Sequence, residues 1–164
     1  MKMDKFIRQT LPLFATILLL SLPYQAWAAD KDYVLNTAST GGTYHPVGTA
    51  IATLTKVKLL PKQKFSLTAV NSAGSGANVQ ALGAGTADFA ILQGLYGSYA
   101  ATGTGPISEP QKNLRSVTML WQNVEQFLVA NEKVKSGTVS DLMSLRGQSA
   151  GMGKQNSGTL GSNK

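Results

Sequence analysis

The sequence predicts an α/β fold built on a mainly parallel sheet, and three observations predict it. Short apolar runs alternate with helical patterns in the order strand, helix, strand, helix, strand, over short connections. That order calls for parallel strands joined by right-handed crossovers. The third run, Ala87 to Gln93, has the continuous apolar centre of a strand buried on both faces. Finally, the strand candidates end in small polar residues, at the sheet edge where open α/β sheets hold their ligands.

The chain opens with a targeting pattern. Lys2, Lys5 and Arg8 make a basic start, Leu11 to Leu22 an apolar core, and Ala26-Trp27-Ala28 a small-x-small cleavage site after Pro23. Residues 1–28 are therefore expected to be a cleavable signal peptide and the periplasm the destination. The apolar run is too short for a membrane anchor.

The first strand, Tyr33-Val34-Leu35, leads into Ser39-Thr40-Gly41-Gly42-Thr43-Tyr44. A helix should follow, with Val47, Ala50, Ile51, Leu54 and Val57 on one face and Pro46 in its first turn. Free N–H groups at such a helix start favour an anion. A plain glycine-rich connection would have the same composition. Phe65 to Val70 reads as the second strand, running into Asn71-Ser72-Ala73-Gly74-Ser75-Gly76. A second helix, from about Ala77 to Leu82, has Ser75 as its natural N-cap. The third strand ends at Gln93, and Leu95 to Ala101 continues as a helix carrying Tyr96 and Tyr99.

Residues 102–113 are rich in Gly, Thr and Pro and read as a loop. Leu114–Trp121, Glu125–Ala130 and Gln148–Gly153 are further strand candidates. Ser140–Leu145 reads as a short helix capped by Ser140 or Thr138. A third polar turn, Gln155-Asn156-Ser157-Gly158-Thr159, precedes the last residue, Lys164, with no helix expected after it.

Composition excludes several chemistries. With no cysteine there are no disulfides, thiol nucleophiles or cysteine metal sites. His45 is the single histidine, which leaves no His-rich metal site, and its loop setting suggests a polar surface residue. No G-x-S-x-G elbow or P-loop is present, and the carboxylates are scattered without a pair signature. No catalytic residues, metal or cofactor are expected, and the chain does not read as an enzyme. Removing Lys2, Lys5, Arg8 and Asp4 takes +2 from the chain's +7 and leaves +5. The one basic cluster, Lys56, Lys58, Lys62 and Lys64, sits at a helix end and lacks interleaved aromatics, so no nucleic acid is expected.

Thr40 to Gly48, Ser72 to Leu82, Gly85 to Gln93, Tyr99 to Gly103, Leu114 to Val117, Leu142 to Gly147 and Gly151 to Thr159 occur in a telling order. In these motifs the chain resembles the solute-binding receptors of TAXI-type TRAP transporters. The resemblance implies a periplasmic-binding-protein-like class II lobe with a central mixed, mainly parallel sheet. It implies an N-terminal lobe over 29–131 and the start of a second lobe over 132–164, the remainder of that lobe being missing. The function implied is capture of a small organic acid or amino acid by a monomeric receptor that serves a TRAP membrane subunit. The hydroxyls and amides of Thr43, Ser72, Ser75, Ser157 and Thr159, with Gly42 and Gly158, would hold a ligand carboxylate. Tyr44 and Tyr96 would wall the crevice and Gln93 would read a polar group.

Two positions depart from the family. Asn36-Thr37-Ala38 replaces glycine-rich sequence at the first strand end, and Gly94-Leu95 stands where many members carry Ser-Asp. Both bear on ligand choice. The readings that compete with it are the binding lobe of an ABC-type transporter or sensor, and a nonfunctional truncated product. One lobe alone is expected to bind weakly or not at all.

Overall fold

The computed structural model describes residues 30–164. The expected signal peptide, residues 1–28, lies outside the described residues.

Strand β1 (Lys31–Asn36) is central, between β2 (Phe65–Val70) and β3 (Phe89–Ala90). Both pairings are parallel, with Asn36 opposite Val70 on one side and Ala90 on the other. All three carboxyl ends therefore meet at one edge. The β3 ladder extends beyond its two residues, because Asp88 N–H donates to Val34 O and Ile91 N–H to Asn36 O. No antiparallel pair occurs among the described residues, so the expected mixed sheet is a parallel one here.

Strand alternation sorts the side chains. Tyr33, Leu35, Phe65, Leu67, Ala69, Phe89 and Ile91 gather with Ala52 and Ile51 of the first helix in one core. Tyr33 meets Phe65 at 5.1 Å and Phe89 at 5.9 Å between ring centroids. The alternate residues make a polar row instead, in which Asp32 accepts from Ser66 Oγ (2.7 Å) and Thr68 Oγ1 (2.8 Å). The Ser66 bond first, then the Thr68 bond, holds the Asp32 carboxyl below its usual range, with Lys56 adding to the effect.

Helix α1 (Tyr44–Leu54) passes through a wide turn, Thr55–Leu59, into α2 (Leu60–Gln63). Its buried face differs from the expected one. Gly48, Ala52 and Thr55 are buried, whereas Leu54 and Val57 are 59% and 61% exposed. The reason is close approach: a Cβ on Gly48 would collide with the Thr37 side chain and touch Ile91. Small residues thus set the helix against the sheet beside Ile51, while Leu54 and Val57 turn outward. Thr55 Oγ1 donates to Ala52 O and accepts Leu67 N–H, tying the wide turn to β2.

Helix α3 (Ser75–Gly83) and α4 (Gly94–Thr102) build a second core from Val79, Tyr96, Ala100 and Ile107. Helix α3 begins at Ser75, two residues before the expected start, and Ser75 is not its N-cap. Leu114–Trp121, Glu125–Ala130 and Gln148–Gly153 form no strand among the described residues. A strand needs a partner edge, and none is offered to them; Leu128 remains 96% exposed. A 3-10 segment, Val139–Leu145, matches the expected short helix, with Thr138 the cap that accepts Ser140 N–H. A helix does follow the last polar turn, contrary to expectation. It is α5 (Gly158–Ser162), with Ser157 Oγ accepting Leu160 N–H at 3.1 Å.

Asp141 organises the turn before it. Its carboxylate accepts from Ser136 Oγ (2.7 Å) and from the N–H groups of Lys135, Ser136 and Gly137. The Ser136 hydroxyl first, then these amides, depresses its pKa far below the ordinary aspartate value.

Gly48→Val should destabilise the fold by about 1–3 kcal/mol in urea unfolding through overpacking. Gly41→Ala, in open space, should change stability by no more than about 0.5 kcal/mol. The stability supplied by Asp141 is full above the unfolded aspartate value of about 3.9 and is lost as pH falls through the depressed folded value. Unfolding measured across acidic pH should therefore show a falling limb below about pH 4, and Asp141→Asn should flatten it.

Candidate functional site

Three turns converge beyond the carboxyl edge of the sheet. They enclose a cleft of about 400 Å³ lined by Ser39, Gly42, Thr43 and Tyr44 from the first turn and Ala73, Gly74 and Ser75 from the second. Gly153, Lys154, Ser157, Gly158 and Thr159 line it from the third, and Trp121, Asn123, Val124 and Glu125 close one side.

The first turn is closed by Gly42 N–H donating to Ser39 O at 2.9 Å. The second is braced by Ser72 Oγ, which donates to Thr37 O (3.1 Å) and accepts Gly74 N–H (3.0 Å). Gly74 has φ +123°, a conformation that requires glycine, and a Cβ there would lie 3.0 Å from Ser157 Cα. The second and third turns touch through backbone, since Gly76 N–H donates to Asn156 O at 3.0 Å. No acidic residue occupies the first turn of α1 or α3, so the positive ends of these helices are uncompensated by their own side chains.

Beneath the cleft lies a buried polar clamp. Asn78, fully buried, donates through Nδ2 to Thr37 O and to Ile91 O, both at 2.7 Å. The amide thereby bridges the ends of β1 and β3. Thr37, also fully buried, donates from Oγ1 to Val70 O at 2.8 Å and ties β1 to β2. The same hydroxyl shares a hydrogen bond with His45 Nδ1 at 3.0 Å. His45 is therefore a half-buried helical residue and not the loop surface residue expected. Ser75 Oγ accepts Gln93 N–H at 3.0 Å and joins the second turn to the end of β3.

Of the ten residues singled out in the sequence, Gly42, Thr43, Tyr44, Ser75, Ser157, Gly158 and Thr159 line the cleft. Ser72 does not; its hydroxyl is spent on Thr37 O and on the Gly74 N–H. Tyr96 does not wall the crevice either. It is 4% exposed in the second core, 5.7 Å from Tyr99, and packs close to Gly161 of α5. Burial first, then Tyr99, raises its phenol pKa. Gln93 lies just behind the lining, with Nε2 donating to Glu125 Oε1 at 3.3 Å and Oε1 buried without a donor. Tyr44 stands edge-on to Trp121 at 5.6 Å.

Sequence reasoning missed Thr37, Asn78, Trp121, Glu125 and Lys154. Asn78 was visible as a polar residue in an otherwise apolar helix turn, the pattern of a buried bridging amide. Glu125 and Lys154 carried no signal of their own, because scattered charges look alike until the chain folds. The cleft offers amides, hydroxyls and two opposite charges for holding a small polar molecule. Among the described residues no group of three His, Cys, Asp or Glu is placed to hold a metal ion, and no helix is long and apolar enough to cross a membrane.

A family model described as NMT1-like matches residues 35–164, from the end of β1 through α5. A search of curated proteins finds no match to the chain.

Replacing Asn78 tests the clamp. Asn78→Ala leaves Ile91 O without this donor and should cost about 1–3 kcal/mol in denaturant unfolding. Asn78→Asp should cost more at neutral pH, since it sets an anion against two carbonyls. A loss below about 0.5 kcal/mol for both would contradict the bridging role.

Proposed function

This chain belongs to the NMT1-like family, a family of periplasmic solute-binding proteins, and from that premise we propose that it is the extracytoplasmic receptor of a TAXI-type TRAP transporter. Members of the family bind small molecules, serve a transporter and are typically extracytoplasmic. The finer reading is a monomeric class II receptor in the periplasm, delivered by a signal peptide at 1–28. Its N-terminal lobe spans 29–131 and its second lobe begins at 132. It captures a small organic acid or amino acid for a TRAP membrane subunit, which carries out ion-driven uptake.

The observation that carries this reading is the convergence of three turns, far apart in sequence, on one cleft. In the proposed mechanism a ligand carboxylate sits among the amides of Thr43, Tyr44 and Ser75, with the hydroxyls of Thr43 and Thr159 in reach. Residues 157–159 supply the facing wall, and Tyr44 with Trp121 covers the apolar part of the ligand. A helix start contributes about 0.3–1 kcal/mol toward an anion, and up to about 2 kcal/mol where partly buried. Several such donors are needed to reach micromolar binding, about −8 kcal/mol.

Thermal unfolding of the purified chain with amino acids, monocarboxylates and dicarboxylates at millimolar concentration tests the proposal. A true ligand at about 100 times its dissociation constant should stabilise the fold by about 2.7 kcal/mol. A cooperative transition that no member of the panel shifts would contradict it.

A further inference from the structure

Residues 114–130 run on without a helix, a turn or a bend, so the backbone there is extended. Among the described residues, no N–H of 115–130 donates to the backbone and no carbonyl of 115–129 accepts from it. The aliphatic side chains are equally uncovered: Val117, Met119 and Val124 are 79%, 83% and 77% exposed. Between 115 and 125 two side chains fasten the segment to the body, Trp121 against the first core and Glu125 at Gln93. An extended stretch with a free backbone and uncovered aliphatics is a template for another strand.

Strand alternation sorts this segment as it sorts the sheet. Arg115, Val117, Met119, Trp121, Asn123 and Glu125 fall on one face, with an apolar middle, a cation at one end and an anion at the other. Arg115 and Glu125 are the only charged residues in 114–130, and they stand five residues to either side of Leu120. Neither has an ionic partner: the ion pair present among the described residues joins Lys64 and Asp30.

Charge selects the occupant. A second copy of the segment, turned antiparallel about Leu120, sets Arg115 against the partner's Glu125 at both ends. It also sets Met119 against the partner's Trp121, and a thioether beside an indole is favourable. A parallel copy in register would set arginine against arginine and glutamate against glutamate, which opposes pairing. No other register joins both charge pairs.

We propose that residues 115–125 pair antiparallel with the same residues of a second copy of this chain, giving a twofold-symmetric dimer. The free backbone groups of the two segments satisfy each other. Val117, Met119 and Trp121 of both copies form one apolar face that continues the first core. Pairing takes up Trp121, Asn123 and Glu125, which line one side of the cleft. The single chain is therefore the solute-binding form and the dimer its resting form.

Sedimentation velocity of the purified chain over about 1–100 μM tests the pairing. The unaltered chain should pass from monomer to dimer within this range. Arg115→Glu and Glu125→Arg, both at exposed residues, each turn the two opposite-charge contacts of the dimer into like-charge ones. Each should weaken self-association at least about tenfold. Mixed in equal amounts, the two variants should associate again, because each supplies the charge that the other lacks. A chain carrying both changes should dimerise like the unaltered one. A monomer throughout the range would overturn the inference. So would a dimer indifferent to the single reversals, a mixture that stays apart, or open-ended aggregation in place of a dimer. The solute-binding reading stands or falls separately, on the shift of thermal unfolding by ligand.

Discussion

The structure depends on one constraint, that carbonyls ending a parallel strand must find donors once the chain turns away from its ladder. Thr37, Asn78 and Ile91 are buried at this edge, and a buried carbonyl left unpaired costs about 1–3 kcal/mol. The Asn78 amide meets the demand twice, at Thr37 O and Ile91 O. Thr37 Oγ1 links the first strand to Val70, and Ser75 Oγ takes the Gln93 amide. These three side chains lock the ends of β1, β2 and β3 to the start of α3. Because Thr37 also engages His45, the start of α1 is fixed by the same network.

The cleft follows from this clamp. Once strand ends and helix starts are held together, the polar turns have little choice of direction, and they gather around a shared space. Glycine is needed where backbones crowd: at Gly48, so that α1 can settle on Thr37, and at Gly74, where the second turn meets Ser157. The donors underneath are spent on structure, with Asn78 Oδ1 and Gln93 Oε1 left buried without a donor, while residues 42–44 and 157–159 line the cleft. The division explains why hydroxyls of similar appearance in the sequence differ in role: Ser72 and Ser75 brace, Thr43 and Thr159 face the opening. Membership of the NMT1-like family agrees with such a scaffold for solutes.

Much of this was legible in the sequence, and the failures have physical causes. Strands at 65–70 and around 33–35 and 89–90 showed through their apolar runs, and the turns through their Gly and Ser content. Helix α1 was found but its face was misread, because hydrophobicity pointed to Leu54 and Val57 while steric fit chose Gly48 and Ala52. Strands expected at 114–121, 125–130 and 148–153 failed because strand propensity has no effect without a partner edge. Seven of the ten candidate residues reached the cleft lining. Tyr96 did not, since the side chain of a tyrosine near a glycine turn can equally fill a core. Glu125 and Lys154 were invisible because their significance is relational and exists only in the folded chain. The departure Asn36-Thr37-Ala38, read as a change in ligand choice, supplies in Thr37 a central member of the clamp.

The central claim is that turns distant in sequence act as one binding surface, and amide-resolved NMR during titration with a stabilising solute tests it most directly. The account predicts concerted shifts at Gly42–Tyr44, Gly74–Gly76 and Ser157–Thr159, all saturating with a single dissociation constant. Shifts confined to one turn, or clustered away from the carboxyl edge of the sheet, would contradict it.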